Sequence, residues 1–135
     1  MHYQPILALD DGRILQAYGG RSLHQQSHGE SFMNLVKFRF GGHGLYVLDE
    51  PEAALSPMRQ LALLRSIYNL TENQDSQFII ATHSPILMAY PGATIYHLGE
   101  KGILQTAYED TEHYQITLGF LENREVYLTH LLGKR

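Results

Sequence analysis

The chain has 135 residues, a net charge of −4 at pH 7, 44% hydrophobic and 18% charged residues, a balance too apolar for a disordered protein and long enough to bury a core without staples. Cysteine is absent, which excludes disulfides, thiolate zinc sites and cysteine nucleophiles, and the scattered Lys and Arg argue against a broad nucleic-acid footprint. Apolar runs stop at about five to seven residues, well short of a membrane span, and no basic segment followed by an apolar one opens the chain, so a cytoplasmic protein with one domain over residues 1–135 is expected.

Pro5-Ile6-Leu7-Ala8-Leu9 reads as a short strand, and Asp10-Asp11-Gly12 as a turn. From Gly29 the apolar residues Phe32, Leu35, Val36, Phe38 and Phe40 fit one face of a helix ended by Gly41-Gly42. Leu45-Tyr46-Val47-Leu48 is an unbroken apolar run closing in Asp49-Glu50-Pro51, the pattern of a strand buried on both faces of a parallel sheet. Ser56 and Pro57 then predict a helix start, with an apolar stripe at Leu61, Leu64, Ile67 and Tyr68 and an end near Asn73. Phe78-Ile79-Ile80-Ala81 predicts a second buried strand leading into Thr82-His83-Ser84-Pro85, where another Ser-Pro start opens a helix through Ala89. Residues 94–98 and 103–108 predict two strands around the turn Gly99-Glu100-Lys101-Gly102. Thr111-Glu112 opens a helical region reaching Leu132 and broken near Asn123. This order is an α/β pattern: a parallel sheet flanked by helices, followed by a β-hairpin and further helices.

In parallel sheets the chemistry gathers at the carboxyl ends of the strands, where Asp49-Glu50 and Thr82-His83 both fall. An aspartate at a buried strand's tip is placed to hold a hydrated Mg²⁺, and an adjacent carboxylate can take a proton from an attacking water. The plain alternative is an acidic strand-to-loop turn. His83 can donate to a terminal phosphate or orient that water, or serve as a structural hydrogen-bonder. Ser27-His28-Gly29-Glu30 precedes a helix, so its hydroxyl and amides can form an anion site. Ser27 and Glu30 also have the spacing of a capping box, and the two roles can coexist. His24 and His28 are four apart, but Gly29 and the missing glutamate between them argue against a metal site. The acidic run Glu109-Asp110-Thr111-Glu112 reads as N-capping by Asp110 or Thr111.

Together these clusters resemble the ABC-type ATPase superfamily, in the order that family uses. Ser27-His28-Gly29-Glu30 resembles its signature motif, Leu45 to Glu50 its Walker B with the adjacent glutamate, Ala53-Ala54-Leu55-Ser56 its D-loop, and His83 its switch histidine. The strings from Tyr18 to Phe32, Thr82 to Pro85 and Tyr108 to Tyr114 are similar to a group of bacterial ATPases of this superfamily not tied to a transporter.

The resemblance implies ATP and Mg²⁺ as cofactors, with Asp49 anchoring Mg²⁺ through water, Glu50 as general base and His83 sensing the γ-phosphate. It implies that Ser27, His28, Gly29 and Glu30 face a nucleotide held by an opposite protomer, with Ala54, Leu55 and Ser56 at that interface. The partner would be a second copy or a P-loop-bearing subunit. His28 and Glu30 depart from the usual glycine and glutamine, and Ser56 from a frequent aspartate. No Gly-x-x-x-x-Gly-Lys-Ser/Thr occurs in the chain, which removes the cradle for the β- and γ-phosphates.

The sequence therefore predicts the C-terminal part of an ABC-type ATPase domain, carrying the catalytic half-site and inactive alone. A regulatory module that completes or blocks a partner's composite site is the alternative. An unrelated Mg²⁺-dependent phosphohydrolase would leave the signature string unexplained. The sheet is expected to expose an edge that drives self-association unless the first 15 residues cover it.

Overall fold

The computed structural model describes residues 2–5 and 43–133. Ser27, His28, Gly29 and Glu30, the helix expected over 29–40 and the strand residues 6–9 lie outside them. The chain divides into two units, Met1–Leu87 and Met88–Arg135.

In the first unit, β1 (His2–Pro5), β2 (Gly44–Asp49) and β3 (Gln77–Ala81) form a parallel sheet in the order β1-β2-β3. The first strand is already formed at His2, three residues before the Pro5–Leu9 run, and it pairs with the side of β2 away from β3. Leu45 pairs with Gln77 and Asp49 with Ala81, so β2 and β3 end level. Tyr46 lies opposite Phe78 and stacks on it at 5.1 Å.

Helix α1 (Pro57–Asn73) joins these strands. Ser56 caps it, accepting from the Arg59 amide at 3.3 Å, and Pro57 fills a first-turn position where no amide is needed. Its buried face is Gln60, Leu63, Ile67 and Leu70, which corrects the predicted stripe: Leu61 and Tyr68 are 52% and 55% exposed. Leucines at 61, 63, 64 and 70 offer two overlapping stripes. The stripe containing Gln60 prevails because its amide finds buried partners, Leu55 O at 3.2 Å and Ser84.

Tyr46, Leu48, Leu55, Leu63, Ile67, Leu70 and Leu87 form the core of this unit. Neither strand is buried on both faces as expected. Burial in β2 alternates, with Tyr46 and Leu48 inside and Leu45 and Val47 half-buried, and Ile79 in β3 is 54% exposed. Among the described residues β3 is an edge strand and α1 is the only long helix of this unit, so alternate side chains stay partly in water. The short helix α2 (Pro85–Met88) ends the unit.

The second unit is a hairpin followed by two helices. Strands β4 (Ile95–Gly99) and β5 (Gly102–Thr106) pair antiparallel, with Gly99 opposite Gly102. Gly102 takes a φ of 104°, a conformation side chains resist, which is why this corner carries glycine. Thr111 caps α3 (Glu112–Glu122) by accepting from the Tyr114 amide at 3.3 Å, and Asn123 separates it from α4 (Arg124–Leu132) as the sequence predicts. No large hydrophobic side chain here is buried; Leu98, Leu121 and Leu131 are each 70% exposed or more. No described helix is long and apolar enough to cross a membrane.

Candidate functional site

Because β2 and β3 end level, the residues after them leave the sheet side by side. Glu50 turns the chain with φ 46° and ψ 53°, the left-handed region. For a residue with a Cβ this conformation costs roughly 1–2 kcal/mol, and residues held so cluster at functional sites. Backbone bonds fix it there. The Glu50 amide donates to Ala81 O at 2.7 Å, clamping the two strand ends together, and the Glu50 carbonyl accepts from the Ala53 amide at 3.1 Å. Buried Pro51 then starts a 3₁₀ turn, Pro51–Ala54.

From this corner the Glu50 carboxylate reaches the loop after β3: His83 Nε2 lies 3.1 Å from Glu50 Oε1. The side chains are 67% and 54% exposed, so the pair contributes at most about 1 kcal/mol to stability. Its importance is chemical: it brings a carboxylate and an imidazole together at the open end of a parallel sheet. Asp49, the last residue of β2, is exposed at the same end. The structure thus brings together three residues that the sequence singles out, Asp49, Glu50 and His83, while the Ser27–Glu30 string falls outside the described residues.

Among the described residues no group of three His, Cys, Asp or Glu could hold a metal ion.

Two polar residues absent from the sequence reading organise the loop carrying His83. Glu52 Oε1 accepts the Thr82 hydroxyl and the His83 amide, each at 2.7 Å. From the other side Gln60 Oε1 accepts the Ser84 hydroxyl, and Ser84 Oγ in turn accepts the Leu87 amide at 3.2 Å, capping α2. Thr82 Oγ1 also accepts the Ser84 amide at 2.9 Å. Both had a visible signal. Glu52 is a third acid in Asp49-Glu50-Pro51-Glu52, and Gln60 is a polar residue in phase with Leu63 and Ile67. Of the residues that the resemblance places at a subunit interface, Leu55 is in the core at 6% exposure, Ala54 is half-buried, and Ser56 is exposed and caps α1.

A small parallel sheet flanked by helices, with an acidic corner and a histidine loop at its carboxyl edge, is compatible with a fragment of a P-loop fold. Residues 23–89 match the model of a family described as AAA domain, putative AbiEii toxin, Type IV TA system, and this supports a P-loop AAA-type ATPase family with a nucleotide-binding, ATPase-like function. The chain is similar to protein ea59 of Escherichia phage lambda, at 34% identity over 134 residues that cover 93% of this chain and 25% of that protein. It therefore spans about a quarter of that relative's length.

Proposed function

We propose that this chain supplies the hydrolytic half of an ABC-type ATP site, with the phosphate-gripping loop contributed from outside these 135 residues. The observation that carries the reading is the Glu50–His83 pair at 3.1 Å, held at the ends of β2 and β3. Glu50 takes the proton of the attacking water. His83 Nε2 holds the Glu50 carboxylate in the resting arrangement and, when the site is filled, donates toward the terminal phosphate. Asp49 holds Mg²⁺ through water, which neutralises charge on the phosphates. Ser27 and Gly29, flanked by His28 and Glu30, contact the nucleotide of the opposing protomer, whether that is a second copy or a P-loop-bearing subunit.

A second reading, a regulatory module that completes or blocks a partner's site, is favoured by the lack of any Gly-x-x-x-x-Gly-Lys-Ser/Thr in the chain. One set of measurements separates the two. Calorimetry of the chain with Mg·ATP is expected to give millimolar or weaker affinity, and micromolar binding overturns the half-site reading. Mixed with a P-loop-bearing homologue, the chain is expected to restore ATP hydrolysis, and Glu50→Gln to abolish it. Restoration that survives Glu50→Gln assigns the chain a regulatory role instead.

A further inference from the structure

Glu52 has no role in the chemistry assigned above, yet its carboxylate is the most committed side chain near the site. One oxygen, Oε1, accepts both the Thr82 hydroxyl and the His83 amide at 2.7 Å. The other, Oε2, is buried without a hydrogen-bond partner among the described residues. Burying a carboxylate oxygen unpaired is unfavourable, so the arrangement persists only because neighbouring structure imposes it. The imposition comes from Glu50. Its left-handed backbone sends the chain into the Pro51–Ala54 turn, which lays Glu52 beside the loop after β3.

We propose that Glu52 is a positioning residue, a brace that fixes the backbone of His83 and, through the His83 ring, the direction of the Glu50 carboxylate. The proposal rests on the reading of Glu50 and His83 as the hydrolytic pair. Three links join the same two loops: Glu50 N to Ala81 O, Glu50 to His83 Nε2, and Glu52 to Thr82 and His83. The Glu52 link bonds the main chain of His83 directly, through its amide at 2.7 Å. Without it, the loop loses its bond at the His83 amide, and a misplacement of the imidazole near 1 Å is enough to cost about a hundredfold in rate.

A plain structural tie between turn and loop is the competing explanation, and conservative replacement separates them. In Glu52→Gln the amide oxygen can still accept both donors, while the amide nitrogen occupies the place of the unpartnered Oε2. Glu52→Ala removes the acceptor altogether.

The first arm uses the full chain and amide hydrogen exchange. Glu52→Ala is expected to speed exchange at the His83 amide by about tenfold or more, with Leu63 and Ile67 in α1 unchanged. It also shifts the His83 ring resonances, and Glu52→Gln stays near wild type. An unchanged His83 amide in Glu52→Ala overturns the proposal. If that variant does not fold, Thr82→Val removes one donor to Glu52 and the acceptor of the Ser84 amide. Faster exchange at His83 and Ser84, restored in Thr82→Ser, then supports the brace, and unaltered exchange overturns it. The second arm uses the ATPase reconstituted with a P-loop-bearing homologue. There Glu52→Ala lowers kcat by about a hundredfold with KM little changed, and Glu52→Gln restores most of the rate. Equal loss in both variants, or a loss confined to KM, refutes positioning. Should Glu50→Gln leave the reconstituted rate intact, the hydrolytic reading fails on its own, and the exchange arm still decides the brace.

Discussion

Ser84→Ala isolates the second anchor of the histidine loop, and its effect can be worked from the hydrogen bonds it deletes. Ser84 and Gln60 are both buried, at 6% and 9% exposure. The hydroxyl donates to Gln60 Oε1 and accepts the Leu87 amide at 3.2 Å. Removing it leaves a buried amide oxygen without a donor, worth about 1–3 kcal/mol, and takes the cap from α2, worth about 1 kcal/mol. The expected destabilisation is therefore about 2–4 kcal/mol, read as a lower urea midpoint at unchanged slope and a fall in Tm on the order of 10 °C. The control is Gln60→Leu in the same background. Once Gln60 is gone, no orphaned acceptor remains for Ser84→Ala to create, so the double variant should fall short of additivity by about 1–2 kcal/mol. A loss below about 0.5 kcal/mol, or strict additivity, would refute the claim that this pair anchors the loop.

Two further outcomes follow from other parts of the molecule. Leu63 is fully buried, at 0% exposure, so Leu63→Ala should cost about 2–5 kcal/mol in chemical denaturation; a smaller loss would mean the α1 contact is loose. Tyr108 has its pKa raised above 10.0, chiefly by burial and then by the neighbouring Tyr114 and Glu109. Since the folded value lies above the unfolded one, its contribution to stability is intact below pH 10 and is lost as pH rises through the folded value. Spectrophotometric titration should therefore show a late tyrosine ionisation that disappears in Tyr108→Phe, and an unchanged curve would contradict it.

The parts of the fold legible in the sequence are those where one local rule acts alone. Ser56-Pro57 starts α1, Gly99 to Gly102 turns the hairpin, and Thr111 and Asn123 bound α3. What the sequence left open was decided by packing. Apolar residues in 61–70 specify a helix without specifying its buried face, and the choice fell to whichever polar residue could be satisfied inside, Gln60. Likewise Phe78-Ile79-Ile80 reads as fully buried, yet how much of a strand is covered depends on neighbours far off in the chain. At the candidate site the meeting of Glu50 and His83 was legible because the acids and the histidine both fall at the ends of neighbouring strands. Glu52 was not, because a lone acid's partner is visible only once two loops are brought side by side.

That difference bears on how the site is held. Keeping Glu50 in a left-handed conformation costs roughly 1–2 kcal/mol, and its exposed pairing with His83 returns at most about 1 kcal/mol. The attraction between the two side chains is thus too weak to create their own geometry. The geometry must be imposed by the clamp from Glu50 N to Ala81 O, by Glu52 beneath His83 and by Gln60 behind Ser84. Substitutions at Glu50 or His83 should therefore alter chemistry with little change in stability, whereas substitutions at Gln60 or Ser84 should cost stability.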